Sequence, residues 1–283
     1  MLRNHVSRRT FVAAMAAAPA ATRLFGRNKN IPIGLELYSV RNELAKDPQG
    51  TLQGVAKMGY ECVEFFAPYY NWTTDQAKDV RKQLDDLKLK CYSTHNGPQS
   101  FTQEGIGHAI ELNKILGTRF IVMSSPGHNL TTIDEYKQLA DTLNQANKTM
   151  SSEGLHAGYH NHDAEWHPIG GVKPMVVLAD NTDKSIMLQL DVGTCVEAGS
   201  DPVAWVNSHP GRIKSMHLKD WSPKQGYQVL FGEGVVPWKQ LLAAAEKKGG
   251  AEYFLIEQEG SRFPEMETAD RCLVAYRDLR KSA

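Results

Sequence analysis

Asp191, His217 and Glu257 are the side chains of this sequence most suited to chemistry. Each is ionisable and sits in a run that is otherwise apolar, as in Leu190-Asp191-Val192, Met216-His217-Leu218 and Leu255-Ile256-Glu257. A charge buried in such a run is costly unless it is paired or holds a metal. Carboxylate oxygen with imidazole nitrogen suits Mn²⁺, Mg²⁺, Co²⁺ or Zn²⁺. A purely structural polar cluster is the competing reading. Tyr159-His160-Asn161-His162 adds two histidines two residues apart, so a strand would aim His160 and His162 to one side and Asn161 to the other. Lys219 follows His217 by two and shares its side. A lysine beside a metal has a lowered pKa and can act as acid, base or enolate stabiliser. Glu64 is a candidate for binding substrate hydroxyls or for pairing with a cation at the bottom of the fold. Trp166, Trp221 and Trp238 can offer flat apolar faces to a ligand or can pack loops.

These residues can meet only if the segments carrying them lie side by side. Short apolar runs rich in β-branched and aromatic residues predict eight strands: Ile33–Val40, Glu61–Phe66, Lys90–His95, Arg119–Ser125, His156–His162, Ile186–Val192, Ile213–Asp220 and Tyr253–Glu259. Helices alternate with them. Ala77, Val80, Leu84 and Leu87 mark one face of a helix over Thr74–Leu87. Thr132-Ile133-Asp134-Glu135 is a capping box opening a helix to about Ser152, with Gly154 as its stop. Pro237 opens another that ends at Gly249-Gly250, and a last helix covers about Met266 to Lys281. Eight strand–helix units predict a single-domain α/β fold, a (β/α)8 TIM barrel over residues 33–281. An open doubly wound sheet would place a glycine-rich loop after its first strand. Ser39-Val40-Arg41-Asn42-Glu43 has no glycine there. In a closed barrel, polar residues at the C-terminal strand ends face the active site.

The N-terminus carries a separate message. Ser7-Arg8-Arg9-Thr10-Phe11 and an alanine-rich stretch predict a twin-arginine-type signal peptide over residues 1–22 and a periplasmic destination. Hydrophobic content of 41% suits a globular chain, and a formal net charge of +0 argues against a nucleic-acid surface. No apolar run approaches the roughly eighteen residues of a membrane span. Cys62, Cys91, Cys195 and Cys272 are scattered, so buried thiols are expected rather than a metal knuckle.

The motifs Tyr159-His160-Asn161-His162, Leu190-Asp191-Val192-Gly193, His217-Leu218-Lys219-Asp220-Trp221, Gly232-Glu233-Gly234 with Pro237-Trp238, and Ile256-Glu257-Gln258 resemble the xylose isomerase-like TIM barrels, the sugar phosphate isomerase/epimerase superfamily. That resemblance implies one divalent cation, manganese favoured, held on strands five to eight. Asp191, His217 and Glu257 fall on three of the four ligand positions. His160 stands where the family's ketose epimerases have a glutamate. The fourth ligand is then His160 or His162, or Glu165 reaching in from the following loop. His95 resembles a strand-three histidine that faces substrate, and Glu64, His162 and Glu165 join it as substrate contacts. Glu257, His160 and Lys219 are the expected catalytic groups. The resemblance implies a small sugar or keto-sugar substrate, a proton removed α to a carbonyl, and an enediolate. Isomerase or epimerase is the first reading. An inosose-dehydratase-like or 3-keto-glycoside lyase is the second, and a non-catalytic sugar-binding barrel the third. A homo-oligomer is left open. Phosphodiester cleavage is disfavoured by the neutral charge.

Overall fold

The computed structural model describes residues 31–282, and the expected signal peptide, residues 1–22, lies outside the described residues. Eight strands run β1 (Ile33–Glu36), β2 (Cys62–Phe65), β3 (Lys90–Asn96), β4 (Phe120–Met123), β5 (His156–His160), β6 (Met187–Asp191), β7 (Met216–Leu218) and β8 (Phe254–Ile256). Every neighbouring pair is parallel, and β1 pairs with both β2 and β8, so the sheet closes into the expected barrel. Seven of the eight strands end earlier than the sequence reading, while β3 runs one residue past it to Asn96. β1 stops at Glu36, and Leu37–Val40 form a 3₁₀ turn. β5 stops at His160. An apolar run can mark a buried turn as readily as a strand, and periodicity does not separate the two.

Side chains alternate strictly in function. Val63, Ile121, Leu188 and Phe254 face the surrounding helices in one large core. Their neighbours Cys62, Phe120, Val122, Met187, Tyr253 and Leu255 fill the barrel interior as a separate apolar floor. One position further along the strands the interior turns ionisable. The chain therefore supplies a plug at the N-terminal half of the barrel and an ionisable layer above it.

The expected helix signals act where read. Thr132 caps the helix Ile133–Ser152 with a reciprocal capping box through Glu135, and Gly154 follows with φ 79°. The helix Trp238–Ala244 begins after Pro237 and continues as a π turn, Ala245–Gly249, before Gly250 ends it at φ 80°. All four cysteines are free and buried. Among the described residues no helix is long and apolar enough to cross a membrane.

Gly34 shows how tight the floor is. A Cβ there would lie 2.5 Å from Cys62 Sγ, 2.6 Å from the Cys62 carbonyl oxygen and 2.8 Å from Leu255 Cδ2. Because backbone is among the obstacles, Gly34→Ala is expected to cost about 1–3 kcal/mol by overpacking. A lowered urea midpoint with an unchanged m-value would report it; an unshifted midpoint would show slack in the floor.

Candidate active site

The C-terminal strand ends bring Glu36, Glu64, His95, His160, Asp191, His217, Lys219 and Glu257 into one buried layer. Its backbone is a carboxylate–imidazole–carboxylate chain across the barrel. His217 lies 2.7 Å from Glu64 Oε2 through Nε2 and 2.7 Å from Glu257 Oε2 through Nδ1. Burial alone would lower the His217 pKa, but the charges of Glu257 and Glu64 outweigh it and hold the imidazole well above its ordinary range. Burial opposes ionisation of Glu64, yet His95 and His217 bring its pKa down to about 2. Glu257 is likewise lowered, by Lys219 and His217 against the cost of burial.

Gln189 sets the orientation of the other two histidines. Its Nε2 donates to Glu64 Oε1 at 3.0 Å, so its Oε1 is left to accept from His95 Nε2 at 2.7 Å and His160 Nδ1 at 3.1 Å. This assigns the proton of His160 to Nδ1 and leaves the Nε2 lone pair facing Asp191 Oδ2, 3.7 Å away. Burial first, then His217, His95, His162 and Lys219, hold His160 well below the usual histidine pKa, so it is neutral near pH 7. The three rings of His95, His160 and His217 lie with centroids 4.5 to 4.8 Å apart.

Asp191 is fixed by its own helix. Its Oδ1 caps the helix Val192–Glu197 by accepting from the Thr194 amide at 2.9 Å, which turns Oδ2 to the site. Asn161 braces the same turn by accepting from the Asp191 amide at 3.1 Å and donating to Thr194 Oγ1 at 3.0 Å. One donor atom each from His160, Asp191 and Glu257 lies within 4.8 Å of the others, a grouping able to hold a metal ion. Of the four expected metal ligands Asp191, His217, Glu257 and His160, the structure groups Asp191, Glu257 and His160. His160 completes the tight group, and His217 touches it through Glu257.

Lys219 is buried beside Asp191 Oδ2 at 3.4 Å and bonds Glu259. The lowered pKa expected from the sequence was for a lysine beside a bound metal; in the metal-free chain the balance runs the other way. Burial works to lower it, but Asp191, Glu257 and Glu259 hold the ammonium well above the usual lysine range. Gly193 leaves room for it, since a Cβ there would lie 2.9 Å from Lys219 Cγ. The Tyr227 ring covers the ammonium at 4.7 Å. Asp220 anchors the loop bearing Tyr227 by accepting from the amide of Gly232 at 2.8 Å and from Trp238 Nε1 at 2.8 Å.

The remaining expected residues separate. His95 joins the layer. Glu64 is wholly buried and spends its oxygens on His217, His95, Ser93 and Gln189, beneath the layer's surface. His162 lies past the end of β5 and is exposed, its ring 5.2 Å from that of His160. Glu165 points away from the metal-capable group: it accepts from Tyr159 Oη at 2.8 Å and from the His162 amide at 2.7 Å. Trp166 is buried against Trp205, and Trp238 serves Asp220. Glu36 was missed, although it is a lone charge in the apolar run Ile33-Gly34-Leu35-Glu36-Leu37, the same signal that found Asp191. Extending strand one to Val40 placed its end four residues too late. Gln189 was passed over because a neutral amide carries no comparable signal.

The family model described as xylose isomerase-like TIM barrel matches residues 52–275. The chain belongs to that family. Among curated relatives, an inosose dehydratase from Clostridium beijerinckii is 24% identical over 217 residues, covering 65% of this chain and 72% of the relative. Inosose dehydratase 2 from Bacillus cereus is 27% identical over 179 residues, 51% of this chain and 58% of its own length. Among solved structures, a sugar phosphate isomerase/epimerase from Parabacteroides distasonis superposes with a TM-score of 0.73 at 25% identity, covering 93% of this chain and 97% of that one.

The charge chain makes a pH prediction. Glu64 has a depressed folded pKa, so its contribution to stability is present above its unfolded value near 4.3 and is lost as pH falls toward about 2. His217 has a raised folded pKa, so its contribution is full below about 6.5 and is lost as pH rises through the folded value. In chelated protein, Glu64→Gln is expected to lower the urea midpoint at neutral pH and to flatten the loss of stability on acidification. Parallel midpoint–pH curves for the two proteins would contradict the ion-pair chain.

Proposed function

We propose that this chain is a divalent-metal-dependent lyase that removes water, or an equivalent β-substituent, from a keto-sugar or keto-polyol. The observation that carries this reading is the single oxygen Asp191 Oδ2, flanked by neutral His160 Nε2 at 3.7 Å and charged Lys219 Nζ at 3.4 Å. Environments that push neighbouring groups to opposite protonation states mark out acid and ligand roles.

Two carboxylates and an imidazole, all buried, form a donor set that suits Mn²⁺ or Zn²⁺. Asp191, Glu257 and His160 would hold the ion, with His217 beside Glu257 and oriented by Glu64 as an outer carboxylate. Such an ion would supply Lewis acidity toward a substrate carbonyl. The chain's own residues do the rest. His162, exposed at the mouth beside His160, takes the proton α to the carbonyl. The C–H electron pair forms the new double bond as the β C–O bond breaks. The Lys219 ammonium gives its proton to the departing oxygen, which leaves as water. Glu259 and Asp191 hold that ammonium in place, and the Tyr227 ring shields it.

The dehydratase names of the curated relatives support elimination. The isomerase/epimerase relative that matches most of the chain supports the second reading, return of the proton to carbon. Both readings begin with the same abstraction, and Lys219 separates them. With manganese-loaded protein and a panel of inososes, keto-sugars and 3-keto-glycosides in D₂O, NMR should show loss of water from one substrate. Lys219→Met should reduce that loss by about 10²–10⁴-fold, the usual contribution of one general acid, while α-deuteration persists. His162→Ala should reduce both. Deuterium at the α-carbon of an intact product in the wild type would favour the epimerase. Metal binding with neither event on any member would favour the sugar-binding barrel.

A further inference from the structure

The opposite side of the layer holds a group that the proposed mechanism does not use. Glu36, at the end of β1, is 1% exposed, and among the described residues no donor reaches either of its oxygens. A carboxylate with nothing to bond is costly to bury. Its neighbours make the position worse. Burial first, then the charge of Glu64, hold the Glu36 pKa well above the usual carboxylate range. His95 faces it with Nδ1 at 3.8 Å from Oε1, a separation too long for a hydrogen bond.

The proton of His95 belongs on its other nitrogen. Nε2 lies 2.7 Å from Gln189 Oε1 and 3.2 Å from Glu64 Oε2, both acceptors. Nδ1 therefore presents a lone pair to Glu36. Acceptor faces acceptor, while Glu64 lies on the Nε2 side of the same ring. One donor atom from each of Glu36, Glu64 and His95 lies within 4.8 Å of the others. The facing lone pairs of Glu36 and His95 are relieved by a proton on Glu36 or by a cation between them.

We propose that Glu36, Glu64 and His95 form a second divalent-cation site, on the β1–β3 side of the barrel mouth. The two sites would share the layer: His160, Asp191 and Glu257 serve the first, and Glu64 links the second to it through His217. The mixed oxygen and nitrogen donors fit Mn²⁺ or Zn²⁺. The proposal rests in part on the cation reading of the β5–β8 side.

The test is metal stoichiometry in chelator-stripped full-length protein, titrated with Mn²⁺ by calorimetry and checked by metal analysis. The wild type should take two equivalents. Glu36→Gln keeps the shape of the side chain and removes the charge, so it should fold and take one. His95→Gln serves as a second variant and should also take one. Asp191→Asn should lose the other equivalent and keep the Glu36 site. One equivalent in the wild type, kept by Glu36→Gln and lost by Asp191→Asn, would overturn the second site and leave the first standing; Glu36 would then hold a proton. One equivalent lost by Glu36→Gln and kept by Asp191→Asn would support the β1–β3 site and overturn the reading of Asp191.

Discussion

His217 is held between two carboxylates at the centre of a closed barrel, and the rest of the site depends on that contact. Glu64 comes from β2 and Glu257 from just beyond β8, so the chain of charges spans the barrel and ties the two sides of β1 together. Burying three ionisable groups carries a desolvation cost that their mutual attraction offsets only with good geometry and further hydrogen bonds. Ser93 and Gln189 supply those bonds to Glu64. Removing either carboxylate would leave an unmatched buried charge. Gln189 then carries the order outward, because its one acceptor oxygen fixes the rings of both His95 and His160.

A barrel can support so polar a layer because its other half is apolar. The floor of Phe120, Val122, Met187, Tyr253 and Leu255 excludes water from below. The large core between strands and helices supplies the stability. The same floor raises the strength of every electrostatic interaction above it, since a low local dielectric weakens screening. Function and fold therefore divide the strands between them. The first residues of each strand build the floor, and the last carry the ionisable layer.

Much of this was legible from residue order alone. Eight apolar runs alternating with amphipathic helices required a closed α/β barrel, and the capping signals at Thr132 and Pro237 acted as read. Asp191, His217 and Glu257 stood out because a charge in an apolar strand has to be matched by a partner or an ion. What stayed hidden was set by geometry between strands. The pattern of Ile33 to Val40 does not show that the chain turns at Glu36, so the fourth carboxylate of the layer went unseen. Lys219 was expected to have a lowered pKa beside a metal; what spacing did not show is that three carboxylates from other segments surround it and raise its pKa in the metal-free chain. Glu165 was expected to reach inward, yet the hydroxyl of Tyr159, on the outer face of β5, holds it. Sequence spacing fixes which side of a strand a residue takes and says nothing of which strand end supplies its partner.

The central claim is that His160, Asp191 and Glu257 converge to hold a cation at the barrel mouth. Anomalous diffraction from crystals equilibrated with Mn²⁺ tests it most directly. The expected result is a strong manganese peak within about 2.0–2.3 Å of a donor atom on all three residues, the range of first-row metal–ligand bonds. Manganese density only at surface carboxylates, with His160, Asp191 and Glu257 left on one another, would contradict it.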